Sequence, residues 1–383
     1  MKKSILFVAL TSALATSAHA ESSVRLYGLV DTAYGFQQVK VTETLANGTL
    51  SSSVKSRTLG MDNGFAGGSY WGLEGEEDLG NGTRALFALE SGFNSSNGSA
   101  EEAGVLFNGH AYLGLSNDNW GSLTIGHQGN VADEFMSDVD PFGTDFGQAG
   151  AGSVFGDSLG ATYSRSIKYM SPDMEGFQFG TAIIYNKTKQ TLNGASTRED
   201  NTGVSFGLKY GTDKAFFGLV YDTLKSTGSV RSHSWAIGGS YDFDVAKVYG
   251  AFGQQRDGMF GDLFPLAKEQ ENNGVVEATP WNGKGYRQNA WLAGLSAPVG
   301  DNGTVMFSYQ GISAKNKVAS EPVKSKAHIF SVGYSHDLSK RTAVYGFASY
   351  GKAKNRLYTS TGALDYTEKV KSTQVAIGLR HYF

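Results

Sequence analysis

A membrane-spanning, all-β barrel of sixteen antiparallel, up-and-down strands is the fold class that this sequence predicts, on three observations. Strand-like runs in which apolar and polar residues alternate recur along the 383 residues. The connections between these runs alternate between short and long. No apolar run after residue 20 reaches the roughly 18 residues that a spanning helix requires, and a closed barrel is the other structure that satisfies every backbone hydrogen-bonding group in lipid.

The composition agrees with many strands joined by tight turns. The chain has 51 glycines, 19 tyrosines and 23 phenylalanines but only 6 prolines. It has no cysteine, which excludes a small secreted domain held together by disulfides. The formal net charge is −3, and no basic surface for nucleic acid is predicted.

The first twenty residues have the organisation of a secretory signal. Two lysines precede an apolar run over residues 5–15, and a small-residue cleavage site follows at residues 18–20. We therefore predict that the chain is exported and cleaved before Glu21. Residues 21–383 then form the mature barrel, whose formal charge is −5 because the signal carries two lysines and no acid.

Sixteen strand-like runs follow the signal, and most have the length of about 9 to 13 residues that suits tilted spanning strands. The last run shows the pattern, since Val375, Ile377 and Leu379 share one face of an extended strand. In chain order the runs cover residues 24–37, 68–78, 81–93, 106–117, 120–128, 161–171, 176–187, 202–211, 214–226, 231–242, 245–256, 286–297, 303–314, 326–337, 341–353 and 371–383.

Short polar turns follow every second run, and longer segments separate the others. Seven short and eight longer connections suit an even-stranded barrel whose two termini lie on the side of the short turns. A soluble β-sandwich gives no reason for this alternation. The longer connections cover residues 38–67, 94–105, 129–160, 188–201, 227–230, 257–285, 315–325 and 354–370.

Several blocks of sequence resemble the Gram-negative general porins, of the Neisseria-like, β-proteobacterial type. The resemblance implies a sixteen-stranded, homotrimeric pore in the lipid of the cell outer membrane, with its third long loop folded into the lumen. It also implies passive diffusion of ions and small hydrophilic solutes. The blocks extend from one end of the chain to the other and include Ser22–Asp31, Trp71–Gly80, Leu86–Phe93, Ala111–Leu115, Gly121–Gly126, Ser166–Pro172 and Gly378–His381.

Residues 131–160 are predicted to form the constriction loop. A segment of this length without a strand pattern exceeds an ordinary loop in a compact fold. It contains carboxylates but no Lys or Arg, and in a low-dielectric neck these groups would attract cations. An acidic loop that is simply solvated at the cell surface is the alternative. The carboxylates are Asp133, Glu134, Asp138, Asp140, Asp145 and Asp157.

Departures from the family pattern weaken the basic wall that faces this loop. Tyr70 and His127 stand where family members commonly carry arginine, and Gly109, His110 and Glu74 replace further polar or basic positions. We therefore predict a neck that prefers cations more than is typical of the family. The candidate bases that remain on the lumen side are Arg25, Arg84, Arg165 and Lys168.

Two other classes of channel or surface protein remain open. A substrate-specific channel for a sugar or an organic acid would need eighteen strands or an aromatic track along the lumen, whereas the five tryptophans are scattered. An adhesin or phage receptor would use the long loops as a binding surface. Enzymatic activity is not expected, because no metal-binding histidine spacing and no set of nucleophile, base and orienting group can be proposed. No cofactor is predicted.

Overall fold

The computed structural model of the protein describes residues 23–192, 195–258, 271–272, 275–276, 283–318 and 322–383. The predicted signal at residues 1–20 lies outside these residues, as does most of the connection at 257–285. Among the described residues, no helix is long and apolar enough to cross a membrane.

Nineteen strands lie within the described part of the chain. They are β1 (Ser23–Leu45), β2 (Leu50–Asn63), β3 (Ser69–Gly80), β4 (Thr83–Phe93), β5 (His110–Asn117), β6 (Gly121–Gly129), β7 (Thr162–Met170), β8 (Phe177–Leu192), β9 (Ala195–Gly211), β10 (Ala215–Lys225), β11 (Ser232–Asp242), β12 (Lys247–Arg256), β13 (Glu271–Asn272), β14 (Val275–Val276), β15 (Tyr286–Val299), β16 (Gly303–Asn316), β17 (Val323–Asp337), β18 (Thr342–Tyr358) and β19 (Leu364–Tyr382).

Seventeen of these strands form one sheet, which closes into a barrel because β1 pairs antiparallel with β19. β13 and β14 make a separate hairpin. β2 and β3 share one place in the barrel, since β2 pairs with Thr32–Thr44 of β1 and β3 pairs with Ser23–Leu29. The described barrel therefore has sixteen strand positions, which confirms the predicted fold class.

The two ends of the barrel differ as the alternating connections predict. Short turns such as residues 81–82 and 212–214 join strands at one end, where Leu29 near the amino terminus pairs with Tyr382 near the carboxyl terminus. The long connections lie at the other end. In outer-membrane barrels the short turns are periplasmic and the long loops extracellular.

Three connections predicted to be long loops are largely strand, so their predicted bounds are wrong. Residues 38–67 contain the second half of β1 and all of β2, residues 188–201 contain the β8–β9 hairpin, and residues 354–370 contain ends of β18 and β19. These segments are rich in Lys, Thr, Ser and Glu, so they lack the apolar alternation of a lipid-facing strand. The backbone ladder continues because neighbouring strands satisfy each other's donors and acceptors.

Side-chain alternation gives the barrel an apolar outer face and a mixed inner face. Along β19, Val375, Ile377 and Leu379 point outward and are 43%, 67% and 49% exposed. Gln374 and Ala376 point inward and are buried. The outward apolar side chains match the lipid-facing band of a transmembrane barrel.

Candidate functional site

The loop at residues 131–160 lies inside the barrel and covers part of its inner wall. It contains two short α-helices, α1 (Val131–Phe135) and α2 (Gly152–Phe155), and three 3₁₀ turns. Its apolar side chains are buried together with inward-facing residues of the wall, including Val220 and Ala236. The principal apolar core of the barrel therefore lies between this loop and the inner wall.

Glycines of the inner wall make room for the loop. A methyl group built on Gly207 of β9 would lie 2.6 Å from Cγ1 of Val131, and one built on Gly218 of β10 would lie 2.7 Å from Sδ of Met136. Ordinary side chains do not approach this closely, so the wall needs glycine where the loop packs against it. The same close approach joins Gly238 to Val139, Gly294 to Pro141 and Gly333 to Phe142.

Four buried, inward-facing glutamines hold the backbone of the loop. They stand on β12, β15, β16 and β19, and each replaces water as the partner of a loop peptide group. Nε2 of Gln255 donates to the carbonyl of Phe155 at 2.7 Å, Nε2 of Gln288 to that of Val154 at 2.7 Å, and Nε2 of Gln310 to that of Ala149 at 2.5 Å, while Oε1 of Gln374 accepts from the N–H of Gln148 at 2.7 Å.

Asn130 closes the base of the loop. Its Oδ1 accepts the N–H of Asp133 at 3.0 Å, which caps α1, and the N–H of Ala161 at 3.2 Å. Its Nδ2 donates to Oδ1 of the buried Asp222 on β10 at 3.0 Å. One asparagine thus joins both ends of the loop to each other and to the wall.

Residues 203–207 read Gly-Val-Ser-Phe-Gly, the spacing of a hydrolase nucleophile elbow. They lie inside β9 and not at the strand-to-helix turn that such an elbow requires. The hydroxyl of Ser205 accepts the N–H of Val131 at 3.1 Å, so it positions the loop. Within the described ranges, no group of three or more His, Cys, Asp or Glu side chains could hold a metal ion.

The segment between β2 and β3 packs against the same inner-wall side chain as the constriction loop. The hydroxyl of Tyr345 donates to Oδ1 of Asp31 at 2.8 Å and accepts the N–H of Phe65 at 2.9 Å. Phe65 and Phe146 both pack edge-on against Phe347, with ring centroids 5.5 and 5.2 Å apart. This contact was not predicted, because residues 38–67 were expected to form one long loop.

The carboxylates of the loop divide into exposed and buried groups. Asp140 is only 4% exposed. Its Oδ1 accepts the N–H of Phe142 at 3.0 Å, and its Oδ2 accepts from Nε2 of Gln310 at 3.3 Å. The expectation that Asp140 lines the water is therefore wrong, because Asp140 stabilises the turn that presses Pro141 and Phe142 onto the wall. The exposed carboxylates are Asp133, Glu134, Asp138, Asp145 and Asp157.

The two candidate bases on β7 are placed differently. Lys168 is buried, and its Nζ contacts Oε1 of Glu134 at 2.5 Å and the carbonyl of Gly129 at 3.0 Å. It faces the lumen, but it holds the start of the loop. Arg165 is exposed and has a φ of 57°, where the register between β6 and β7 shifts. It lines a cavity of about 370 Å³ with Asn186 and other polar residues.

Arg25 and Arg84 lie away from the neck, which corrects their predicted place in it. Arg25 forms an ion pair with Glu74, and Arg84 contacts Asp118 at 2.7 Å. Both arginines stand near the short-turn end of their strands. Arg25 precedes Asp31 by six residues, which separates the two by roughly 20 Å along the strand. These bases line the periplasmic mouth.

A tyrosine-rich wall faces the lumen on β1, β3 and β5. Tyr70 pairs with the inward-facing Leu29, and its ring lies 6.2 Å from that of Tyr27 in an edge-on contact. The hydroxyl of Tyr27 donates to Oε2 of Glu90 at 3.0 Å. The carboxylates of Glu90 on this wall and Asp133 on the loop are close enough to repel each other electrostatically.

His127 does not face the lumen, so its predicted place at the neck is wrong. It shares a strand face with Leu123 and Ile125, which point outward and are 41% and 58% exposed. Its ring contacts Oγ of Ser164 at 2.8 Å and the carbonyl of Asn108 at 2.9 Å. Successive residues of a strand point to opposite faces. The alternate apolar residues Leu123 and Ile125 were therefore the signal that His127 points outward.

A sequence model of the Gram-negative porins matches residues 7–356. The chain belongs to the Gram-negative porin family. This porin is 36% identical over 399 residues to an outer membrane porin protein of Bordetella pertussis, with 100% of both chains covered. It is 27% identical over 351 residues to the major outer membrane protein P.IA of Neisseria meningitidis serogroup C, which covers 82% of this chain and 83% of that protein.

A solved structure shows the same architecture. The anion-selective porin from Comamonas acidovorans aligns with a TM-score of 0.67 and 26% identity over 95% of this chain and 100% of that chain. Family and fold together place this porin in the outer membrane as a multi-stranded channel.

Gly207→Val should displace the constriction loop, because the new side chain overlaps Val131 and Phe135. We expect a loss of about 1–3 kcal/mol in the free energy of unfolding and an altered single-channel conductance in a planar bilayer. Gly211→Val on the same strand is the matched control, since nothing lies within 4 Å of its added methyl group. Equal conductance for both variants and the wild type would contradict the proposed packing.

Asp140 should make the stability of the porin depend on pH. Burial raises the pKa of the Asp140 carboxyl well above its usual value, and the hydrogen bonds from Phe142 and Ser308 lower it only in part. Folding thus favours the protonated form, so the free energy of unfolding should fall as the pH rises from the unfolded pKa through the raised one. Asp140→Asn should weaken this pH dependence, measured as the change in thermal-unfolding midpoint with pH. Asp213→Asn in an exposed turn should leave the pH dependence unchanged.

Proposed function

We propose that this porin carries ions and small hydrophilic solutes by passive diffusion and that its neck prefers cations. The observation that carries the proposal is the set of exposed loop carboxylates without a basic partner. No ion pair joins Asp133, Asp138 or Asp145 to a base within the described part of the chain. Unpaired carboxylates in a neck with low-dielectric walls concentrate cations there.

The bases near the loop are already engaged. Lys168 is paired with Glu134. Lys209 on β9 places its Nζ 5.4 Å from the ring centroid of Phe135, and Arg380 pairs in register with the buried Asp31. Because Lys168 is paired with Glu134, the loop carboxylates that support the proposed cation preference are Asp133, Asp138 and Asp145.

The wall opposite the loop supports the same proposal. Tyr70 faces the lumen, opposite Leu29 of β1, at a position where members of the family commonly carry arginine. The Comamonas acidovorans porin is described as anion-selective. A shared fold fixes where the neck lies, whereas the charges that reach the water decide which ions it favours.

The selectivity proposal predicts the behaviour of a triple variant, Asp133→Asn with Asp138→Asn and Asp145→Asn. In a salt gradient across a planar bilayer, the wild type should show a reversal potential of cation-selective sign. The triple variant should lower the cation-to-anion permeability ratio by roughly threefold, because a carboxylate near the path contributes on the order of 1 kcal/mol or less in water.

The control for this experiment is Asp140→Asn, the same chemical change at a buried position. It should leave the permeability ratio unchanged. A wild-type reversal potential of anion-selective sign would overturn the proposed preference.

Lowering the pH should reduce the cation preference, as the triple variant does. Desolvation raises the pKa of the Asp133 carboxyl, and Lys168 lowers it only in part. The cation preference should therefore decline at a higher pH than an ordinary aspartate would give.

We also infer that the porin assembles as a homotrimer, as the family resemblance implies. Native mass spectrometry of the detergent-purified protein should give three times the mass of the mature chain. A monomer that remains a monomer in mild detergents and in lipid nanodiscs would contradict this inference.

A further inference from the structure

Three tyrosine rings and two carboxylates come together on the lumen side of the barrel, where β1, β3, β4 and β5 face the start of the constriction loop. The rings are those of Tyr27, Tyr70 and Tyr112, which are half-buried, so part of each is open to the lumen. The carboxylates are those of Glu90 on β4 and the exposed Asp133 in α1. We call these five residues the tyrosine–carboxylate corner.

Strand register places the wall residues of the corner on one inner face. Gly72, two residues after Tyr70 on β3, pairs with Glu90 on β4. Glu90 in turn pairs with His110 on β5, two residues before Tyr112. Alternate residues of a strand share a face, so the inward direction of Tyr70 is also that of Glu90 and Tyr112.

Tyr27 and Tyr70 form two walls of the corner. Their ring centroids are 6.2 Å apart and their ring planes meet at 64°. A methyl group built on Gly72 would lie 2.6 Å from Cζ of Tyr27, so this ring crosses directly over the glycine. The hydroxyl of Tyr27 donates to Oε2 of Glu90 at 3.0 Å. Because that proton is already donated, the ring offers a solute its π face.

Glu90 and Asp133 give the corner a negative charge. The two carboxylates are close enough to repel each other. No ion pair joins either of them to a base among the residues that the structure describes. Lys168 interacts electrostatically with Asp133, but it is paired with Glu134. A positively charged solute beside Glu90 and Asp133 would therefore relieve their repulsion.

A cation with an apolar surface suits both the rings and the carboxylates. The face of a tyrosine ring attracts a cation that lies within about 6 Å of the ring centroid. A primary ammonium is strongly hydrated, so the carboxylates attract it while the rings add little. A quaternary ammonium group carries methyl groups that pack on aromatic faces, and its charge is still neutralised by carboxylates.

We propose that the tyrosine–carboxylate corner is a binding site for small quaternary ammonium compounds, such as choline, that pass through the lumen. The proposal rests on the proposed cation preference, because Asp133 contributes to both the neck and the corner. It adds the chemical class of organic cation that the channel retains longer than K⁺.

Block of the K⁺ current tests this site. The purified, folded porin is inserted into a planar bilayer in KCl, and choline is added to one side while the single-channel current is recorded. Choline should lower the current in a saturable manner. Neohexanol, the uncharged carbon analogue of choline, should need a concentration roughly tenfold higher or more for the same block, because it lacks the attraction to the rings and carboxylates.

Variants of Tyr70 separate the ring face from the rest of the side chain. Tyr70→Leu should raise the half-blocking concentration of choline by about threefold, which is the size of a cation–π contact at a water-exposed site. Tyr70→Phe keeps the ring and should be blocked as the wild type is. Tyr34→Leu is the matched control, since Tyr34 lies on the outer face of β1 and is 49% exposed.

The charge of the corner is tested by Glu90→Gln, which keeps the shape of the side chain. This variant should raise the half-blocking concentration of choline by about fivefold, because one carboxylate near a cation in water contributes on this order. The conductance of each variant in KCl alone verifies that it forms a channel.

Three outcomes would overturn the site. The first is an equal half-blocking concentration of choline for Tyr70→Leu, Tyr70→Phe and the wild type. The second is block by neohexanol at the concentrations at which choline blocks, which would make the corner an apolar site. The third is stronger block by the primary amine ethanolamine than by choline.

The reversal potential in the same membranes tests the proposed cation preference separately. A cation-selective channel that choline does not block would overturn the site and leave the preference standing. An anion-selective channel whose block by choline depends on the Tyr70 ring would overturn the preference and support the site.

Discussion

The close packing of one loop against the inner wall is the constraint on which the rest of this porin depends. Barrels of this width have more interior space than side chains of the wall can fill. Here a thirty-residue segment occupies part of that space, and glycines such as Gly207 and Gly218 let it approach the wall. The burial of Phe135 and Phe155 in turn fixes which loop groups remain in the water.

Buried polar contacts give the loop its position, while apolar packing holds it in place. Hydrophobic burial is not directional, so Val131 and Phe155 alone would allow the loop to slide along the wall. The glutamines on β12, β15, β16 and β19 remove that freedom, because each satisfies one particular peptide group. Asn130 does the same at the base, where an unsatisfied buried amide would be costly.

The same arrangement separates buried carboxylates, which hold the structure, from exposed ones. Asp31, Asp140 and Asp222 are buried and hold segments of backbone or side-chain amides. Asp138 and Asp145 stand on the water side of the same loop.

The sequence by itself determined the class of fold and the number of strand positions, because a two-residue period and alternating connection lengths are local properties of the chain. Its resemblance to the family implied that the third long loop folds into the lumen. The same resemblance implied that Tyr70 faces the lumen. Only the tertiary structure decided how deeply Asp140 is buried, which groups Lys168 contacts and where Phe65 packs. Each of these depends on a partner that is distant along the chain. The separations are 170 positions for Gln310 and Asp140, 34 for Lys168 and Glu134, and 280 for Tyr345 and Phe65.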